Sequence, residues 1–252
     1  MSSPFSPDPA AGVFETMLVL DGAPVELERH MSRLSASVEE LYGAALPAGA
    51  RELVLEHARP LALGRLRLTV MPVEGIEVAA EVVTAPVAEA NVFPGWERAI
   101  ELRPFLVPGG LGPHKWADRA GVAAMESEAG EGALPLLVDA GGQVLEGSRA
   151  NVFALEGEIL LTPRTDGRIL PGVARARAIE AARSLGLDVR EQDLPLERLA
   201  AAPEAFLTGS VRGVEPVRSV EQARFQEPGE AACAIAAAIR RQWTGNVAAG
   251  AQ

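Results

Sequence analysis

Lysine is nearly missing from this chain: among 23 lysines and arginines in 252 residues, Lys115 is the one lysine. Cysteine is as scarce, with Cys233 alone, so no internal disulfide can form. Its neighbours Ala231, Ala232, Ala234 and Ile235 read as an apolar helix in which a small thiol packs. Positive charge is short overall. A net charge of −11 and a pI of about 4.9 set the average potential against a phosphate backbone or an anionic membrane surface, so neither nucleic acid nor a membrane is expected as a partner. No run of about eighteen apolar residues is present to span a bilayer. Residues 1–12, MSSPFSPDPAAG, lack the basic start and apolar stretch of a secretory leader, and a cytoplasmic location is expected. Residues 245–252 are small and polar and read as a frayed tail.

What is present is apolar enough, at 48% hydrophobic, to build one large domain or two moderate ones. Residues 13–20 and 24–27 flank Asp21-Gly22, a dipeptide that suits the positive φ angles of a tight hairpin turn. Met31, Leu34, Val38 and Leu41 recur at helical spacing and predict a helix over 26–41. A second helix is expected over 48–59, and strands over 66–71, 77–83 and 99–102. Residues 104–113, with three prolines and three glycines, carry the strongest linker signal. The reading is therefore an α+β domain over 1–103, a linker over 104–113 and a second, α/β domain over 114–252. In that second part helices are expected over 119–129, from Pro171-Gly172 to about 185, and over 229–243. Strands are expected over 134–138, 144–146, 151–155, 159–161, near 189, over 205–207 and over 214–217. No internal repeat is visible.

The lone lysine bears on chemistry because an arginine guanidinium stays protonated, whereas a lysine amine can lose its proton and attack a carbonyl. Lys115 lies in PHKWADR, directly after the linker, where two domains would meet. Downstream, Glu146 sits in LEGSRANVF, and Pro171-Gly172 opens a helix whose first N–H groups, near Val173 and Ala174, form a ready anion site. Upstream, His30 and Arg33 stand three apart on one helical face. A unique lysine, a carboxylate, an arginine and a helix start are the parts needed to hold pyridoxal phosphate. The lysine joins its aldehyde, the carboxylate keeps the ring nitrogen protonated, and arginine with backbone N–H groups grips the phosphate. Nothing in the pattern calls for a metal.

These residues resemble a known family. Phe14-Glu15-Thr16, Asp21-Gly22, His30-x-x-Arg33-Leu34, Lys115-x-x-Asp118-Arg119, Glu146-Gly147-Ser148 with Asn151-Val152-Phe153, Ile169-Leu170-Pro171-Gly172 and Thr208-Gly209-Ser210 are similar, in order and spacing, to the motifs of fold-type IV pyridoxal-phosphate enzymes, the class IV aminotransferase family. The resemblance covers nearly the whole chain. It implies two α/β domains with the cofactor between them, a small-molecule amino substrate and a homodimer. Carried over by position, it makes Lys115 the Schiff-base lysine and proton carrier, Glu146 the partner of the ring nitrogen and Arg33 a phosphate contact. Val173 and Ala174 would supply backbone N–H groups, and Ser210 would contribute from a turn. Position 174 is commonly threonine in the family, so one hydroxyl contact is missing here.

Three features resemble the aminodeoxychorismate lyases of the family more than its branched-chain or D-amino-acid aminotransferases. Thr16 stands where those lyases carry a threonine that assists proton transfer. Lys115-x-x-Asp118-Arg119 departs from the Lys-x-x-Gly-Asn-Tyr of branched-chain enzymes. Gly209-Ser210-Val211-Arg212-Gly213 is similar to the Asn-Ser-x-Arg-Gly of lyases, which makes Arg212, with Val211 beside it, a candidate clamp for a substrate carboxylate. Pro9-Ala10-Ala11-Gly12 replaces the usual Gly-Asp-Gly ahead of Phe14. The expectation is a lyase forming 4-aminobenzoate and pyruvate in folate biosynthesis. The alternatives are an aminotransferase using D-amino or branched-chain amino acids with a 2-oxo acid acceptor, and a binding subunit that keeps the fold without catalysis.

Overall fold

A computed structural model describes residues 6–73 and 77–249. The described chain divides into two compact units. One gathers residues 7–92 with His114–Arg119 and the chain from Arg241; the other holds Phe93–Pro113 and Ala120–Arg240.

In the first unit, β1 (Val13–Leu20) turns through Asp21-Gly22 into β2 (Ala23–Pro24). Both turn residues have positive φ, 47° and 78°, the paired left-handed conformation that matches the twist of a two-residue hairpin. Helices α1 (Leu27–Tyr42) and α2 (Ala50–Ala58) follow, then β3 (Leu63–Pro72) and β4 (Val78–Pro86). The sheet order is β2-β1-β3-β4, antiparallel throughout. Side chains alternate across it. Val13, Met17, Val19, Leu66, Leu68 and Val70 form a core with Leu34 and Val38 of α1 and Val54 of α2. The other face of β1 carries Phe14, Thr16 and Leu18, which lie opposite Thr69, Arg67 and Arg65 of β3.

The second unit is built on a nine-stranded sheet. Its elements in chain order are β5 (Ile100–Leu106), α3 (Ala120–Ala129), β6 (Ala133–Val138), β7 (Val144–Gly147), β8 (Asn151–Glu156), β9 (Ile159–Thr162), α4 (Val173–Ser184), β10 (Asp188–Glu191), α5 (Leu196–Ala201), β11 (Glu204–Gly209), β12 (Gly213–Val220), β13 (Ala223–Arg224) and α6 (Glu230–Ala249). The order β10-β9-β8-β11-β12-β5-β6-β7, with β13 on β12, mixes both directions: β5 runs parallel to β12 and β6, and β10 parallel to β9. Every residue of β6 is buried, as a strand covered on both faces requires. Leu102, Leu134, Leu136, Val152, Leu161, Leu207 and Val217 lie in its main core. The mixed α/β architecture expected from the sequence is present.

Four local readings are corrected. The expected linker begins inside a strand, since Pro104, Phe105 and Leu106 end β5. Pairing of β5 with β12 stops at Leu102, opposite Val220, so Pro104 sits past that last pair, on a one-sided stretch where a missing N–H is tolerated. The short helix α5 was not expected at all. Cys233 is exposed, not packed. On α6 the buried stripe is Ala232, Ile235, Ile239 and Trp243, and position 233 is turned away from it. The same helix continues through 245–249, where a frayed end was expected; residues 250–252 lie outside the described chain, as do residues 1–5 of the N-terminal segment.

Candidate active site

The residues singled out by sequence fall into two groups, one in each unit. In the first unit Lys115 belongs to a short extended segment laid against the start of β1. The Phe14 N–H donates to the Lys115 carbonyl at 2.8 Å and the Ala117 N–H to the Gly12 carbonyl at 2.9 Å. His114 is tied through Nδ1 to the Ser37 hydroxyl at 3.0 Å and meets Trp116 edge to face. The lysine therefore stands on a fixed backbone. Its Nζ lies 4.8 Å from the centre of the Phe14 ring, which also receives the Arg67 guanidinium at 4.2 Å.

Two cations on one ring repel, and burial holds the Arg67 guanidinium below its ordinary pKa, with the charge of Arg65 acting in the same direction. Arg67 pairs in register with Thr16, so the hydroxyl, the guanidinium and the Phe14 ring share one face of the sheet. Among the described residues Arg67 has no carboxylate partner. Sequence reading missed it because its neighbours Leu66 and Leu68 mark only a strand; its link to Lys115 passes through cross-strand pairing.

Arg33 comes instead to the helix-facing side of β1. Glu15 points there into the core, 1% exposed, and a buried carboxylate requires donors. Arg33 provides a two-pronged contact, Nε to Oε1 and Nη2 to Oε2, both at 2.7 Å, and His30 Nδ1 lies 2.7 Å from Oε2. Burial alone would raise the Glu15 pKa; the Arg33 charge and the hydrogen bonds of His30 and Arg33 outweigh it and bring the pKa down to about 2. His30, which the sequence placed on the same helical face as Arg33, is part of this network.

In the second unit Glu146, 4% exposed, is the next-to-last residue of β7. A tight turn closed by the Gly147 N–H on the Ala150 carbonyl, 2.7 Å, carries the chain into β8, whose first residue is Asn151. The Asn151 amide donates to Glu146 Oε2 at 3.3 Å, and the Leu170 N–H donates to the same carboxylate at 3.3 Å. Ser148 donates its hydroxyl to Glu126 at 2.7 Å.

Leu170 leads through Pro171 to Gly172, the N-cap of α4. No side chain caps that helix, so the N–H groups of its first turn, with Val173 and Ala174 buried, are open to an external acceptor. Arg175, also in that turn and buried, has its guanidinium held by the Pro163 carbonyl at 2.8 Å and Glu191 at 3.0 Å. Sequence reading did not single it out. Thr208, opposite Asn151 in register, has a buried hydroxyl without a hydrogen-bond partner, a group that a bound ligand would satisfy. Ser210, Val211 and Arg212 form the loop between β11 and β12, and Arg212 pairs with Glu215. This donor set suits a ligand with a basic ring nitrogen at one end and an anionic group at the other.

The model of the amino-transferase class IV family matches residues 12–220. The chain belongs to that family. Pyridoxal phosphate, the cofactor expected above, fits the carboxylate and the uncapped helix start just described. Among curated class IV relatives, the branched-chain-amino-acid aminotransferase 1 of Arabidopsis thaliana is 42% identical over 87 residues, 34% of this chain and 23% of its own length. The chain thus covers about a quarter of the relatives it matches most sharply. A protein of Thermotoga maritima, named as a probable branched-chain-amino-acid aminotransferase, is 28% identical over 230 residues, 86% of this chain and 81% of that one. Solved structures share the fold, among them these two. The 4-amino-4-deoxychorismate lyase of Pseudomonas aeruginosa superposes with a TM-score of 0.72 at 23% identity, covering 94% of this chain and 89% of its own. A hypothetical aminotransferase of Mycobacterium tuberculosis, in its PLP-bound form, superposes with a TM-score of 0.81 at 24% identity, covering 98% and 95%.

Proposed function

We propose that this class IV enzyme is a pyridoxal-phosphate-dependent lyase that splits 4-amino-4-deoxychorismate into 4-aminobenzoate and pyruvate. The observation that carries the reading is the face of β1 and β3 where the Thr16 hydroxyl and the Arg67 guanidinium stand together, with the Lys115 amine and Arg67 on the same Phe14 ring. A half-buried arginine without a carboxylate partner among the described residues calls for an anion, and this substrate carries two carboxylates. Arg212, already engaged by Glu215, is the second guanidinium for that task.

The bound cofactor supplies an electron-accepting ring that makes the hydrogen on the amino-bearing carbon acidic. Lys115 takes that proton in its amine form, and the Thr16 hydroxyl relays it. Glu146 keeps a negative charge at the ring nitrogen, held in place by the Asn151 amide and the Leu170 N–H. The first turn of α4, with Val173 and Ala174, and Ser210 would take the phosphate, while Arg33 is held by Glu15. With the proton removed, the carbon–oxygen bond to the enolpyruvyl group would break, the ring left behind would become aromatic, and the departing enolpyruvate would take up the proton held by Lys115 and Thr16 to leave as pyruvate. The protein forms a homodimer.

The likeness to branched-chain aminotransferases, 28% identity across most of the chain, favours amino-group transfer as a second reading. Purified enzyme given 4-amino-4-deoxychorismate and no oxo acid decides between them. Many turnovers of pyruvate and 4-aminobenzoate, abolished in Lys115→Ala, are expected. Turnover only with an amino acid plus 2-oxoglutarate would replace the lyase by the transferase, and no cofactor uptake at all would leave a non-catalytic binding subunit.

A further inference from the structure

One side chain ties together the two ends of the second unit's site. The Asn151 Nδ2 has two hydrogens and two acceptors, Glu146 Oε2 at 3.3 Å and the Leu170 carbonyl at 3.0 Å. Turning the amide over would aim its oxygen at a carboxylate and a carbonyl, so its orientation is fixed by its partners. The remaining atom, Oδ1, lies against Gly172, where a β-carbon would stand 2.0 Å away. The backbone of Gly172, φ −66° and ψ 135°, is open to any residue. Glycine is therefore required there for space alone, and the space is taken by Asn151. The Leu170 N–H completes the link by donating to the same carboxylate.

We infer that Asn151 is a positioning residue which sets the Glu146 carboxylate at a fixed distance from the start of α4, and that Gly172 is the site's second half, kept bare so that the amide can lie there. This rests on the reading of Glu146 as the partner of the cofactor's ring nitrogen and of α4 as its phosphate seat. Asn151 itself touches neither group of the cofactor in this role. It acts through Glu146 and through the Leu170–Gly172 backbone.

The test is a double-mutant cycle on cofactor binding to the apoprotein, measured by fluorescence titration with Asn151→Ala, Gly172→Ala and the pair. Two probes are used: pyridoxal phosphate, and its 1-deaza analogue, in which carbon replaces the ring nitrogen. Wild type should prefer the natural cofactor. Asn151→Ala should weaken it about tenfold while changing the analogue much less, because only the natural ring meets Glu146. Gly172→Ala should do the same by pushing the amide aside, and the double variant should be no weaker than Asn151→Ala alone. Asn151→Asp keeps the volume but removes the donor, and should match or exceed the alanine effect if hydrogen bonding carries the role. Circular dichroism and apoprotein melting report folding in each case. Equal losses for both probes, or additive losses in the double variant, overturn the positioning role. Failure of wild type to bind the cofactor, or wild-type indifference to the ring nitrogen, overturns the underlying reading instead.

Discussion

Replacing Glu15 by glutamine should destabilise the first unit strongly at neutral pH and much less in acid. The side chain is 1% exposed, and its carboxylate takes two bonds from Arg33 and one contact from His30, each at 2.7 Å. Its pKa falls from 4.5 to about 2, although burial works in the opposite direction. That gap corresponds to roughly 3 kcal/mol of stability contributed by the ionised form. Because the folded pKa is the depressed one, this contribution is complete above about 4.5 and is lost as pH falls from there through about 2. Glutamine keeps the volume but offers a neutral oxygen to a partly buried guanidinium, so the loss at pH 7 should be roughly 3 kcal/mol, or a melting point lower by roughly 6 to 12 °C. Urea unfolding of wild type and Glu15→Gln, followed by circular dichroism at pH 7 and again near pH 3, gives the two differences directly. A difference as large at pH 3 as at pH 7 would refute the electrostatic origin, and equal stability at pH 7 would refute the network itself.

Arg67→Ala should leave the fold intact and raise the KM for a carboxylate substrate by about ten- to a hundredfold, the weight of one charge-assisted bond; an unchanged KM in steady-state kinetics removes Arg67 from substrate binding. Burial pushes the Glu215 carboxyl up, against the pull of Arg212 and Arg149, so ionising it costs stability as pH rises through its folded pKa. Glu215→Gln should then be at least as stable as wild type at pH 8, and a melting point clearly below wild type would show that the Arg212 pair dominates. Native protein should react with one equivalent of a thiol reagent at the exposed Cys233 without loss of secondary structure; a thiol that reacts only after denaturation would contradict its position.

The elements most legible in the sequence were those set by local chemistry. Asp21-Gly22 can hardly avoid a tight turn, and Pro171-Gly172 does open α4. Pro104 misled because proline was read as a break, when the strand beside it had simply ended. Six residues of α5 are too few for a periodic signal. Within the candidate site, Lys115 stood out by rarity and Glu146 by its motif. Glu15 and Arg67 were out of reach for a different reason. Their importance depends on which face of β1 and β3 each occupies and on what the α1 helix brings to one of those faces, a register that no local window encodes. Asn151 was visible as a letter in a motif, but the space it fills beside Gly172 is a tertiary fact.

The complete burial of β6 has a consequence before the chain is folded. Ala133 to Val138 is a six-residue apolar run, the kind of segment that pairs between molecules when it is exposed during synthesis or refolding. Pro135 stands inside it without an N–H to offer, and Glu131 and Asp139 flank it with like charge. The native sheet accepts the proline, whose carbonyl receives the Ser148 N–H at 2.9 Å. A stack of identical strands from other chains would not accept it, so the residue that interrupts this strand also protects the chain from aggregation.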